Sequence, residues 1–281
     1  MLQTIRYRFL LFAGIFPYLL GSAVAFHVTG SFHFPYFILG FISIAFVLVA
    51  VEIFNEYFDI KLGTDRVFSF TAAQSAPPLR MGLVASAIAL MIGLYLALVR
   101  GWPLLVFIAF GALAVMFYVG PPIRWSYRGL GELTIFLAYG PFMTLGSYYL
   151  QAQGVDIAPL TASLVLGFLV LALALINEVP DYYGDRLVGK KNIVVRVGRR
   201  RAVALYAAVL FLSFAILPLG VHWGMTTGPS LLIFVTLPLA CWNVLLAGKN
   251  YDRPRQLVPA IRGTALLYAI VACLLIASYL V

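Results

Sequence analysis

Long apolar runs separated by short polar breaks organise this chain from end to end. A helix needs roughly 20 predominantly apolar residues to cross the hydrocarbon core of a bilayer. Nine runs approach or exceed that length: approximately 8–27, 34–58, 80–99, 102–119, 131–150, 158–180, 202–219, 229–247 and 262–281. The breaks are rich in glycine, proline and charge, and none could hold a soluble domain. The pattern predicts an all-α, polytopic membrane protein, a nine-transmembrane-helix bundle forming one membrane-embedded domain over residues 1–281. The stretch RYRFLLFAGIFPYLLGSAVA has the basic start, apolar centre and Ala-x-Ala end of a signal peptide. Its length and the spans directly behind it favour a retained first helix.

Composition agrees with lipid as the solvent. Hydrophobic residues make up 63% of the chain and charged ones only 10%, against roughly 25% charged in soluble domains. The net charge of +9 does not point to nucleic acid, because no soluble basic domain exists to carry that function. Lysine and arginine mark cytoplasmic loops instead. With the N-terminus inside, all of the 19 basic residues except Arg100 fall on the inner side. The expected topology is therefore a multi-pass protein of the cell membrane (the inner membrane in a prokaryote), N-terminus cytoplasmic and C-terminus outside. Cys241 and Cys273 stand alone in apolar runs and read as packing residues. His27, His33 and His222 are scattered on the outer face. Arg199, Arg200 and Arg201 read as interfacial anchors.

Two acidic segments break this pattern, NEYFDIKLGTD at 55–65 and NEVPDYYGD at 177–185. They end the second and sixth runs, an even number of crossings apart, so both are expected on the cytoplasmic face. Residues three, four and seven apart share a helix face, which puts Glu52, Asn55, Glu56 and Asp59 in one stripe. Ionised carboxylates are too costly to face lipid, so the stripe turns inward. Asp65 lies beyond Gly63, where a break could bring it back. Asp181 and Asp185 are one turn apart, just after Pro180, which is expected to kink the sixth helix. Glu52 reads equally as a ligand or as a partner of a basic group. Such oxygen donors suit Mg²⁺, which commonly bridges one or two carboxylates to substrate phosphates. Lys61, Arg66, Arg186 and Lys190 follow the acidic segments and can help to neutralise a bound diphosphate.

These residues resemble the UbiA superfamily of intramembrane aromatic prenyltransferases. Asn55, Asp59, Lys61, Gly63 and Asp65 are similar to its first Asp-rich motif, in the longer spacing of the 1,4-dihydroxy-2-naphthoate (menaquinone) branch. Asp181, Asp185, Arg186, Gly189, Lys190, Arg196 and Gly198 resemble the second motif. YVGPPIRWSYRGLGE resembles the loop after the fourth helix through Tyr118, Pro121, Arg128, Gly131 and Glu132. The chain departs from the family at Glu56, where the motif commonly has Asp, after Asp65, where RVFSFTAAQSAPPLR stands for the usual polar and basic stretch, and at Lys191-Asn192-Ile193, where a threonine is common.

The resemblance implies a nine-helix fold, with Asn55, Asp59, Asp65, Asp181 and Asp185 holding Mg²⁺ against the diphosphate of a polyprenyl donor. Asp59 and Asp181 stand at the centre of that chemistry. Lys61 and Lys190 pair with the diphosphate, supported by Arg66, Arg124 and Arg186. Tyr118 and Tyr127 offer ring faces to the allylic cation, and an aromatic acceptor, a quinone precursor, attacks it. The donor's tail lies in membrane lipid. Two alternatives remain open: cyclisation or diphosphate release on the same site, and a cation-coupled secondary transporter.

Overall fold

The structure, a computed structural model, describes residues 2–62 and 78–281, and side chains from residue 13 onward except those of residues 59 and 62. All regular elements among the described residues are helices, with no strand. In chain order the helices are α1 (Leu2–Thr29), α2 (Phe34–Leu62), α3 (Leu79–Arg100), α4 (Leu104–Phe117), α5 (Trp125–Arg128), α6 (Gly131–Leu137), α7 (Met143–Ala152), α8 (Ala158–Glu178), α9 (Tyr182–Leu187), α10 (Ile193–Val197), α11 (Arg199–His222), α12 (Leu237–Asn250) and α13 (Pro254–Ser278). A π-helical turn at Ala138–Phe142 joins α6 to α7, and a 3₁₀ stretch at Gly228–Thr236 leads into α12. Six described segments are long and apolar enough to cross a membrane; α1, α4 and the α6–α7 unit are shorter or interrupted as apolar helices. Six of the nine runs read from the sequence coincide with these longer segments.

Helix α8 is the hub. Val165, Leu166, Leu169, Leu175 and Ile176 are fully buried, and the helix packs against α1, α6, α11 and α13. Lipid provides no hydrophobic force between helices, so close approach relies on small residues. At Gly140, a Cβ would stand 2.7 Å from the Cα of Gly167 on α8. Cys241 and Cys273, expected to pack inside, lie instead on the exposed surface of the bundle.

Polar contacts set the relative directions of the helices. The His33 amide at the start of α2 donates to Gln151 Oε1 at 2.8 Å, at the end of α7. Arg100, the lone basic residue expected outside, is buried at the end of α3 and donates to the carbonyls of Leu150 (2.8 Å) and Gln151 (2.7 Å). Its guanidinium also lies 4.9 Å from the Tyr36 ring centre. A cation there satisfies carbonyls left open at a helix end. The start of α2 and the ends of α3 and α7 thus share one end of the bundle, and a short link to α8 follows. The C-terminal tips of α2 and α8 therefore both point to the opposite end. The parity argument from the sequence required this arrangement.

Replacing this buried clamp tests its weight. Arg100→Leu leaves two carbonyls without their charged donor and is expected to cost about 3 kcal/mol, read as a lower unfolding midpoint in detergent. An unchanged midpoint would show that the clamp contributes nothing.

Candidate active site

The last turns of α2 border an apolar cavity of about 530 Å³ between α2, α3, α4 and the α6–α7 unit. Asn55 is buried and lines it together with Tyr118, Pro121 and Tyr139. Lys61 is exposed on the final turn of α2, its ammonium 5.7 Å from the Tyr57 ring centre. Asp59 lies on the same helix, but its side chain falls outside the described residues, as do Asp65 and Arg66.

The second acidic segment is a break and a restart rather than the expected kink. Helix α8 stops at Glu178, Pro180 has no N–H to continue the ladder, and α9 begins at Tyr182 with Asp181 at its N-cap position. The Asp185 amide donates to the Asp181 carbonyl at 2.8 Å, so the two carboxylates stand one turn apart. Asp181 is half-buried, while Asp185 is only 1% exposed. Lys190 Nζ lies 3.1 Å from Asp185 Oδ2, and Asn192 Nδ2 donates to the same oxygen at 2.7 Å. Arg186 is exposed and reaches the Tyr182 hydroxyl at 3.5 Å, too long for a firm hydrogen bond.

The loop between α4 and α6 borders both the α2 tip and the stretch that follows the second acidic segment. On one side Tyr118, Gly120 and Pro121 wall the apolar cavity beside Asn55. On the other, Pro121, Arg124, Tyr127 and Arg128 share a smaller pocket of about 410 Å³ with Val188 and Gly189, just before Lys190. Arg124 holds a left-handed backbone, φ 52°, at this corner, a conformation costing a non-glycine residue roughly 1–2 kcal/mol. Three bonds fasten the α9–α10 segment to the loop and the start of α6: the Lys191 amide to the Tyr127 carbonyl at 3.1 Å, Arg196 to the Arg128 carbonyl at 2.5 Å, and the Ile193 amide to the buried carboxylate of Glu132. The two tyrosines expected to share one role thus divide, Tyr118 to the apolar cavity and Tyr127 to the smaller pocket. Tyr139 on the cavity wall had no signal among 16 tyrosines. Asn192 was visible only as a departure from a familiar motif.

The charges around Lys190 bear on whether a divalent cation fits. Asp185, Glu178 and Glu132 lie within electrostatic reach of one another and of this single ammonium. Oε2 of Glu132 and of Glu178 are buried without a hydrogen-bond partner among the described residues. Carboxyl oxygens gathered in this way are the donor type that a hard cation takes. No three His, Cys, Asp or Glu side chains among the described residues could cage an ion unaided.

The UbiA prenyltransferase family matches residues 14–261. The chain belongs to that family. The resemblance read from its two acidic motifs is borne out. The chain is 27% identical to the 2-carboxy-1,4-naphthoquinone phytyltransferase of Synechocystis, over 86% of this chain and 80% of that one. It is 26% identical to the 1,4-dihydroxy-2-naphthoate octaprenyltransferase of Bacillus subtilis, over 90% and 83%. Among solved structures, a UbiA homologue from Aeropyrum pernix K1 superposes with a TM-score of 0.66 at 15% identity, covering 94% of this chain and 97% of that one. A homologue from Archaeoglobus fulgidus bound to GPP and Mg²⁺ gives 0.59 at 19% identity, covering 96% and 99%. These establish an integral, multi-pass UbiA-type helical fold.

The Asp185–Lys190 pair yields a measurable expectation. Lys190→Met leaves a buried carboxylate without its cation, which typically costs about 3–5 kcal/mol. Thermal unfolding in EDTA should show the loss, and added Mg²⁺ should recover part of it. Melting identical to the parent in EDTA would contradict the pairing.

Proposed function

We propose that this protein transfers a polyprenyl group from an allylic diphosphate to an aromatic acceptor of the 1,4-dihydroxy-2-naphthoate type, in a Mg²⁺-dependent reaction. One observation supports this above the others: the loop carrying Tyr118 and Tyr127 borders both the apolar cavity beside Asn55 and the segment that holds Asp185 and Lys190. A substrate with an apolar tail and a charged head matches that juxtaposition. The naphthoate-directed names of both relatives favour the acceptor class.

On this reading Asn55, Asp59, Asp65, Asp181 and Asp185 hold the metal, with Asp59 and Asp181 central. When bound, Mg²⁺ supplies positive charge to the departing diphosphate, where negative charge grows in the transition state. Lys61 and Lys190 orient the diphosphate oxygens, with Arg66, Arg124 and Arg186 around them. Tyr118, joined by Tyr139, turns a π face toward the cavity where the allylic cation forms, and Tyr127 stands beside the diphosphate. The apolar walls exclude water, so the acceptor ring rather than solvent captures the cation. The chain works as one domain of nine spans, counting α1, α4 and the α6–α7 unit with the six longer segments. Its N-terminus is cytoplasmic, its C-terminus outside, and the site opens to the cytoplasm, in keeping with the basic residues on that side.

Purified protein should therefore convert a prenyl diphosphate and 1,4-dihydroxy-2-naphthoate to a prenylated product with Mg²⁺, and not in EDTA. Rapid product from the donor alone would favour cyclisation or diphosphate release instead. Asp59→Ala and Asp181→Ala should each cut turnover by about two orders of magnitude or more while the protein still inserts and folds. Retained turnover in either variant removes that residue from the site.

A further inference from the structure

Asn192 is 1% exposed and bonded at both ends of its side-chain amide. Its Oδ1 accepts from the Val195 amide at 2.8 Å, capping α10, and its Nδ2 donates to Asp185 Oδ2 at 2.7 Å. The orientation has no alternative, because a backbone N–H requires the amide oxygen and a carboxylate requires the NH₂ group. Lys190 Nζ approaches the same Oδ2 at 3.1 Å. Both donors converge on one carboxylate oxygen, Oδ2, and so fix the position of the Asp185 carboxylate. The backbone beneath Asn192 is itself held by the bonds from Lys191, Ile193 and Arg196 to the α4–α6 loop.

We propose that Asn192 is a positioning residue for metal binding: it clamps Asp185 through Oδ2 so that Oδ1 is presented to the cation. The proposal rests on the reading of Asp185 as a metal ligand. A purely structural account would leave Asn192 as the cap of α10. The two accounts separate because serine and threonine are also good caps, yet their hydroxyl, while capping Val195, is too short to reach Asp185.

The test uses full-length protein in detergent and Mn²⁺ as the probe, its binding read by electron paramagnetic resonance without substrate. Asn192→Ser and Asn192→Thr should each weaken Mn²⁺ binding about tenfold or more, the effect typical of losing a residue that orients a ligand. Melting in EDTA should fall only modestly, since Asp185 loses one hydrogen bond and keeps Lys190, and both variants should still fold. The Mg²⁺ concentration for half-maximal activity should rise by a similar factor, while the rate at saturating Mg²⁺ stays within about twofold. Parental Mn²⁺ affinity in both variants, with binding lost in Asp185→Ala, would overturn the clamp and leave the metal reading standing. Parent protein that takes up no Mn²⁺ would overturn both.

Discussion

A carboxyl sealed from water must be paired with positive charge, hydrogen-bonded or neutralised, and at the motif-bearing end of this bundle that demand governs the design. Asp185 is almost fully buried, and Glu132 and Glu178 crowd the same region. Burying unpaired charge costs several kcal/mol per ion, so such a cluster persists only where its carboxyls are paired, hydrogen-bonded or protonated. One ammonium, Lys190, is already present. On the proposed reading, a divalent metal and the diphosphate it carries complete the pairing of these carboxyls.

That requirement explains the local architecture. A straight helix running from Ala158 through Leu187 would set Asp181 and Asp185 on a rigid rod. The break at Pro180 instead ends α8 and begins a short helix, so the second acidic pair sits on its own element. The α9–α10 segment is then tied to the α4–α6 loop through backbone groups and the Glu132 carboxylate. Because that loop also walls the apolar cavity, the charged end and the greasy space share one rigid border. A prenyl diphosphate spans the same two environments.

The bundle was largely legible in the sequence because lipid imposes a simple rule: each crossing is a long apolar run, and basic residues mark one side. The π-helical turn at Ala138–Phe142 escaped notice, since its single proline looked like any other within an apolar run. The acidic motifs were legible as stripes at fixed spacing. Their surroundings were not. Asn192 and Asp185 are only seven residues apart, yet their contact depends on a turn at Gly189, and Glu132 meets Ile193 across 61 positions. Periodicity along one helix carries no information about such contacts. Tyr118 and Tyr127 looked equivalent as aromatic groups nine residues apart, whereas the corner at Pro121 and Arg124 sends them into different spaces.

The central claim is that both acidic segments grip one metal–diphosphate complex. It is tested most directly by an experimental structure of the protein with Mn²⁺ and a prenyl thiodiphosphate, in which anomalous scattering locates the ions. Manganese peaks bridging the thiodiphosphate to oxygens of both the α2 tip and α9 are the predicted result. Peaks bound by one segment alone, with the other facing away from the diphosphate, would contradict it.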